Sequence, residues 1–412
     1  NQRKSEWEQR EIMKAVILAA GEGSRMRPLT YTRPKVMLTI ANKPILEHLL
    51  TEVKAAGIEE FIFIVGYHDE QIRQYFGNGG KWGVNIDYYT QRKQLGTADA
   101  IRTVESMMEG NFLMMNGDII VNQQDIKSLT NKKDNTMSLF KVEDTQDLGT
   151  VEVTKDKVIR IHEKVAKSPS NLANTGLYLF TQDIFTAISQ TLTSPRGEYE
   201  ITDSLQLLID QGHRVSYQTL SYLLDVSFPW DLLSANESLM AKLEPQNLGT
   251  IEENVIIKDA VCIGKGTVVK SGSYIVGPVI IGENCDIGPH CYIRSSTAIG
   301  DGCHIGTASE VKNSIIMNNT AIPHHNYVGD SVIGEGCNLG AGTKIANLRF
   351  DEQEITVAGR NTKRRKLGAI MGDGVKTGIN ACINIGTVIG NNTQIGPGAV
   401  VSGIIQPDSK LF

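Results

Sequence analysis

Cysteine is scarce in this chain, with six among 412 residues and no C-x-x-C pair. A disulfide framework and a cysteine-bound zinc knuckle are both excluded by that count and spacing, which agree with a reducing compartment. Long hydrophobic runs are missing as well, since no apolar stretch approaches the roughly 20 residues needed to cross a bilayer. Basic excess is absent: 41 Lys and Arg stand against 46 Asp and Glu, a formal net charge of −5. That balance argues against a general nucleic-acid binder, whose affinity rests on neutralising many phosphates. Small anionic ligands held by local basic loops stay open. The opening "NQRKSEWEQREI" is too polar for a secretion signal, so the expected location is cytoplasmic, without a membrane partner.

What is present is globular composition, 41% apolar and 21% charged, at a length that exceeds one ordinary core. Two domains are expected. Residues 1–12 read as an extension or tag, because structure-like patterning begins only at Lys14. From there to about residue 240, short β-rich runs ("AVILAA", "FIFIVGY", "FLMMNGDII") alternate with longer helical patterns ("PILEHLLTEVKAAG", "TADAIRTVESMM"). Such alternation marks βαβ units and an α/β domain, assigned to residues 13–240.

Residues 250–412 follow a different period. Ile251, Ile257, Ile263, Val269, Ile275, Ile281, Ile287, Ile293, Ile299, Ile305 and Val311 hold one six-residue register, and small residues recur four positions after the first ten of them. An aliphatic residue inside, a turn, then a small residue describes a parallel β-helix of triangular section. The repeat resumes at Ile333, Leu339 and Ile345 and again at Ile389, Ile395 and Val401. Two excursions are therefore expected, near residues 312–332 and 346–370, as loops on one face. Cys285, Cys291, Cys303 and Cys337 occupy the small interior position and read as packing thiols. Cys285 and Cys303 are one coil apart, so backbone spacing of about 4.8 Å leaves them within disulfide reach.

Chemistry concentrates first in "LAAGEGSRMRPLTYTRPK", residues 18–35, which places two glycines, three arginines and a lysine directly after an apolar run. A glycine-rich turn after a strand lets backbone N–H groups approach an anion, and Arg25, Arg27 and Lys35 suit phosphate oxygens. By spacing the loop is neither a Walker A motif nor a dinucleotide fingerprint. The string, with "QLGTADA" (94–100), "NGD" (116–118), "HEK" (162–164), "NTGLYLF" (174–180), "GEYEITD" (197–203) and "LDVSFPWDLLSAN" (224–236), resembles the sugar-nucleotide pyrophosphorylases. One departure is Val165, where many relatives have proline.

The resemblance implies a Rossmann-like mixed sheet and a set of roles. Gly21, Gly23 and Arg25 would hold the triphosphate, with Lys35 reaching the phosphoryl group under attack. Gln91 and Gly96 fall where relatives read the base, and Thr97 follows them among the substrate-binding positions. Asp118 and Asp225 match the carboxylates that hold Mg²⁺. Gly149, Glu163 and Asn174 match sugar contacts, and Lys164 matches the sugar-phosphate contact. Two anions must be screened and aligned in such a reaction, which is why cations and a metal recur.

The second half resembles the left-handed hexapeptide acyltransferases, and "IPHHNYVGDSVIGEGCNLGAGTKIANLRFD" resembles the acetyltransferase half of the bifunctional glucosamine-1-phosphate acetyltransferase and N-acetylglucosamine-1-phosphate uridylyltransferase family. That likeness implies His324 as base, Tyr327 and Asn347 at the substrate site, Lys363 and Lys366 around sugar phosphate and coenzyme A, acetyl-CoA as co-substrate, and a homotrimer. Departures are His325, Asn326 and "IANLRFDEQEITV". Two bland readings stand beside it: exposed histidines on a purely structural helix, and "KRRK" (363–366) as a solvated loop. The expected function is a bifunctional enzyme of sugar-nucleotide synthesis using UTP or dTTP. The alternatives are a single-activity glucose-1-phosphate thymidylyltransferase or uridylyltransferase with a structural β-helix, and a non-catalytic regulatory subunit of the same architecture.

Overall fold

The computed structural model describes residues 12–163 and 168–412. The expected extension at 1–12 therefore lies outside the described residues apart from Ile12, as do Lys164 and Val165. Two compact units form. The first holds the chain up to Glu22 together with Ile45–Asp225, and the second holds Gly23–Pro44 with Val226–Phe412. Compactness thus cuts the chain differently from periodicity, because the basic signature segment and the helix Asp231–Met240 side with the β-helix.

In the first unit, nine described strands make one mixed sheet. Its order is Asn85–Thr90, Glu60–Val65, Lys14–Ala19, Phe112–Asn116, Leu172–Phe180, Thr136–Lys141, Ser216–Thr219, Lys157–His162 and Thr150–Thr154. The first four run parallel. "FIFIV" and "FLMM" are buried throughout, as parallel strands covered on both faces must be. Helices cover the sheet with apolar stripes such as Ile45, Leu46, Leu49, Leu50 and Val53. From Lys14–Ala19 the chain steps outward to one side through Glu60–Val65 and Asn85–Thr90, then returns to the other side with Phe112–Asn116. That reversal is a topological switch point, and crevices for ligands open there, beyond the carboxyl ends of the strands.

The second unit is built on a left-handed parallel β-helix whose short strands stack into three sheets of nine, nine and eight described strands. Pairs such as Val279↔Thr297 and Asp286↔His304 are one 18-residue coil apart. Ile275, Ile287, Ile293, Ile299, Ile305 and Val311 are fully buried inside. Small residues at the corners have a specific task. The Thr267 hydroxyl donates to the Gly282 carbonyl (2.6 Å) and accepts from the Cys285 N–H (2.9 Å), linking one coil to the next. Cysteine substitutes for threonine in that role: Cys285, Cys303 and Cys337 donate from Sγ to the carbonyls of Gly300, Met317 and Gly372 at 3.1, 3.2 and 3.2 Å. Cys285 and Cys303 are free thiols despite their proximity.

The first expected excursion does not exist. Residues 312–332 stay in the helix, with Ile316, Ile322 and Val328 buried inside and Glu310↔Tyr327 and Ile315↔Val332 in register. Two coils are 17 residues long instead of 18: one residue is lost between Val311 and Ile316 and another between Val328 and Ile333, so the aliphatic register slips by two without any loop leaving the stack. The second excursion is real. After Lys344–Ile345 the chain leaves the stack, forms a small hairpin (Thr356–Val357 with Arg360–Asn361), and returns at Ala369–Met371, close to the expected bounds.

Candidate active sites

At the switch point of the first unit, Gly21 follows the strand Lys14–Ala19, and Gly117 donates its N–H to the Leu18 carbonyl (2.8 Å). Asp118 therefore stands beside the end of the first strand, partly buried. Next comes Ile119–Val121, paired antiparallel with Leu223–Asp225 so that Asp225 lies opposite Ile119. Strands so paired hold facing Cα atoms about 4.5–5.5 Å apart, which makes Asp118 and the exposed Asp225 neighbours across the ribbon. Two hard carboxylates fit Mg²⁺, which takes one or two protein carboxylates and completes its shell with water and substrate oxygens. Among the described residues no three His, Cys, Asp or Glu side chains cluster as an all-protein metal cage.

Gln91 follows the strand Asn85–Thr90 at the same edge and is buried. Its Nε2 donates to the Gly96 carbonyl (3.1 Å) and to Asp99 Oδ2 (3.2 Å). Gly96 has φ +109°, and a Cβ there would stand 2.4 Å from the Tyr199 carbonyl oxygen, so no other residue fits. Thr97 Oγ1 accepts the Ile201 N–H (2.9 Å). The "GTADA" and "EYEIT" motifs are thereby locked together, and Gln91, Gly96 and Thr97 occupy one corner.

Gly149, Glu163 and Asn174 also gather. Asn174 N–H donates to the Gly149 carbonyl (2.9 Å), and Glu163 Oε2 lies 3.1 Å from where a Cβ on Gly149 would sit. Asn174 Nδ2 donates to the Tyr178 hydroxyl (2.6 Å), whose phenol is pushed up by complete burial. Sequence reasoning missed Arg196, whose Nη2 reaches Glu163 Oε1 (3.2 Å) and Glu200 Oε1 (2.7 Å). Burial raises the Glu200 carboxyl, the Arg196 charge acting against it. A signal was available in "RGEYE", where Arg196 immediately precedes the recognised "GEYEITD" motif and stands four residues before Glu200.

In the second unit the signature segment folds back on itself. The Thr30 hydroxyl donates to the Gly23 carbonyl (2.9 Å), and the buried Lys35 packs its Cβ 2.8 Å from where a Cβ on Gly23 would be. Arg25 is exposed, its guanidinium 5.5 Å from the Phe228 ring centre. Arg360, from the hairpin of the excursion, lies 4.5 Å from the same ring.

On the β-helix, Tyr327 and Asn347 are brought together. Asn347 Nδ2 donates to the Tyr327 hydroxyl (3.2 Å) and to Asp330 Oδ2 (2.5 Å). Asp330 is buried and also takes Lys312 Nζ (3.0 Å) and Asn313 Nδ2 (2.8 Å). Lys312 and Asp330 were invisible to sequence reasoning because one continues a strand and the other looks like a turn residue. The exposed His324 sits on the corner before the strand Tyr327–Gly329, while the Tyr327 hydroxyl reaches the Gly329 end. Lys363 is exposed and Lys366 partly buried at the foot of the hairpin, bridged by backbone to Leu348. Between them Arg364 donates to Ser234 Oγ (2.8 Å) and Glu237 Oε1 (2.6 Å), so part of "KRRK" ties the hairpin to the helix Asp231–Met240.

The profile of the nucleotidyl transferase family matches residues 14–242, and that of the GMPPB C-terminal domain matches 275–384. Similar curated proteins include the bifunctional protein GlmU of Methanococcus maripaludis strain S2, 40% identical over 97% of both chains, and that of Methanocaldococcus jannaschii, with the same figures. A bifunctional sugar-1-phosphate nucleotidylyltransferase/acetyltransferase of Sulfurisphaera tokodaii is 40% identical over 95% of this chain and 97% of its own. Among solved structures, a putative glucose-1-phosphate thymidylyltransferase from Bacillus anthracis in complex with a sucrose is 29% identical. It matches with a TM-score of 0.52 over 57% of this chain and 98% of its own.

Proposed function

Because the chain belongs to the family of bifunctional sugar-1-phosphate nucleotidylyltransferases and acetyltransferases, we infer that it makes a UDP-N-acetylhexosamine in two steps. The first acetylates glucosamine 1-phosphate from acetyl-CoA. The second joins N-acetylglucosamine 1-phosphate to UTP and releases pyrophosphate. Both would run in the cytoplasm, where these substrates are found.

In nucleotidyl transfer, a phosphate oxygen of the sugar 1-phosphate attacks the α-phosphorus, and the bond from that phosphorus to the bridging oxygen breaks as pyrophosphate leaves. The nucleophile is already charged, so the protein has only to align and screen the two anions. Gly21, Gly23 and Arg25 take the triphosphate, and Lys35 meets the phosphoryl group under attack. Gln91, Gly96 and Thr97 frame the base. Gly149, Glu163, Asn174 and Lys164 hold the sugar phosphate. Asp118 and Asp225 would hold Mg²⁺, which supplies charge neutralisation at the phosphates. The observation that carries this reading is the pairing of Leu223–Asp225 with Ile119–Val121, whose backbone register puts Asp225 opposite the residue that follows Asp118.

In acetyl transfer, the amine attacks the thioester carbonyl, the C–S bond breaks, and His324 removes the amine proton. Tyr327 and Asn347 position the sugar, with Lys363 and Lys366 near phosphate or coenzyme A. The chain would act as a homotrimer associated through its β-helix. The second reading, a glucose-1-phosphate thymidylyltransferase with a structural β-helix, is favoured by the Bacillus anthracis likeness of the sheet unit alone. A matrix of UTP and dTTP against glucose 1-phosphate and N-acetylglucosamine 1-phosphate, repeated with acetyl-CoA and glucosamine 1-phosphate, separates them. Turnover of UTP with N-acetylglucosamine 1-phosphate plus acetylation supports the first reading. Preference for dTTP with glucose 1-phosphate and no acetylation establishes the second.

A further inference from the structure

The segment that carries Gly23, Arg25 and Lys35 is held by the β-helix wall. Arg33, two residues before Lys35, extends its guanidinium onto that wall and is only 13% exposed. Nη2 donates to Asp373 Oδ2 (2.5 Å) and Glu335 Oε2 (3.1 Å), and Nη1 faces Met317 Sδ (3.3 Å). Thr32 Oγ1 donates to the same Asp373 oxygen (2.5 Å). Asp373 is itself fixed, because its other oxygen accepts the Glu335 N–H (2.8 Å) across one coil step. All these groups lie in the second unit.

A shielded arginine held by two carboxylates is a costly choice for mere adhesion, since apolar contacts would hold the segment as well without desolvating three charges. Its planar fork, however, fixes direction as well as distance. Pro34 (φ −66°, ψ 150°) is the only residue between Arg33 and Lys35, and its ring removes the φ freedom that would absorb a displacement. Lys35 in turn packs on Gly23, which Thr30 also holds. The exit of the segment is pinned too: Ala41 N–H donates to Asn236 Oδ1 (2.9 Å), and Asn42 Nδ2 to the Ile299 carbonyl (2.5 Å).

We propose that Asp373, with Glu335, is a positioning residue for nucleotidyl transfer: by clamping Arg33 it sets Lys35 and the Gly23 turn, so the β-helix contributes to the chemistry of the phosphate loop. This rests on the role given above to Lys35. Substituting Asp373 therefore acts on the rate with bound substrates more than on their capture. An ångström of misplacement in a reacting group costs about a hundredfold, so a loosened clamp lowers kcat by about ten- to a hundredfold.

The test measures kcat and KM for UTP in pyrophosphate release, with acetyl transfer by the same preparations as a folding control. Variants are Asp373→Ala, the isosteric Asp373→Asn, the charge-keeping Asp373→Glu, Arg33→Ala, the double Arg33→Ala/Asp373→Ala, and Lys35→Ala. Expected are a fall in kcat for Asp373→Ala and Asp373→Asn with KM within about threefold, partial recovery in Asp373→Glu, and a double variant no worse than the poorer single. Retained kcat in both Asp373→Ala and Asp373→Asn, while Lys35→Ala is impaired, overturns the clamp and leaves the function standing. Additive losses in the double variant overturn it equally. An unimpaired Lys35→Ala, or a parent without nucleotidyl transfer, removes the role of Lys35 and the clamp falls with it.

Discussion

The sheet unit gathers residues scattered along the chain, whereas the β-helix joins only those that stand one coil apart. Asp118 and Asp225 belong to different parts of the chain yet end on adjacent strands. Gly149, Glu163 and Asn174 converge in the same manner through the pairing of three strands. Along the β-helix, Tyr327 and Asn347 meet because the strand Tyr327–Gly329 stacks on Lys344–Ile345 in the next coil, and His324 stays on the corner three residues before Tyr327. A parallel sheet with crossover helices builds sites from many segments. A helix of short strands builds them from one edge and leaves completion to whatever lies against that edge.

Variants of the metal carboxylates probe the gathered half most severely. Asp118→Asn and Asp225→Asn should each lower pyrophosphate release by about a hundredfold or more, as losses of preorganised charge stabilisation do. The double variant should be little worse than either single one, because both act on one ion. Additive losses in a steady-state comparison would mean that the two acids serve separate tasks. For the stacked half, His324→Ala should lower acetyl-CoA consumption with glucosamine 1-phosphate by about a hundredfold, within the range for a general base. Nucleotidyl transfer, read as pyrophosphate, should stay within about twofold, and acetylation equal to the parent would leave the corner histidine without a role.

Smaller effects test the frameworks. Ile299→Ala removes a fully buried interior rung and should destabilise the β-helix by about 2–5 kcal/mol, measured as a lowered midpoint in denaturant. A change within error would show that the coil interior relaxes. Glu200→Gln addresses the sheet unit. Burial raises the Glu200 carboxyl above the usual range, so the folded state binds its proton more tightly than the unfolded chain does. The associated stability is present below the unfolded value and lost as pH rises through the higher folded value. The variant should therefore melt higher than the parent above that window and alike below it. A difference of the opposite sign, with melting followed from pH 4 to 8, would make the Arg196 pairing the dominant influence on Glu200.

Legibility followed the same division. The period of six disclosed the β-helix interior rung by rung, because each aliphatic residue meets its counterpart in the next coil. It failed where coils shorten by one residue: a slip at Val311→Ile316 looks on paper like the start of a loop, and the small side chains that stay in place at Ser314 and Thr320 carry too little pattern to correct it. The α/β order of the first half was legible from apolar runs, and its site only through motif resemblance, since strand pairing decides which acids meet. Arg33 went unremarked because its partners, Asp373 and Glu335, lie far along the chain in turns that look like ordinary solvated corners. Charge pairs of that kind leave no periodic trace.

Whether Asp118 and Asp225 share one divalent ion at the switch point is decided by titrating Mn²⁺ into parent, Asp118→Asn and Asp225→Asn proteins with UTP present and following free ion by electron paramagnetic resonance. A UTP-dependent site of one ion is expected in the parent, with a marked loss of affinity in each variant. Undiminished binding in both variants would contradict a shared ion.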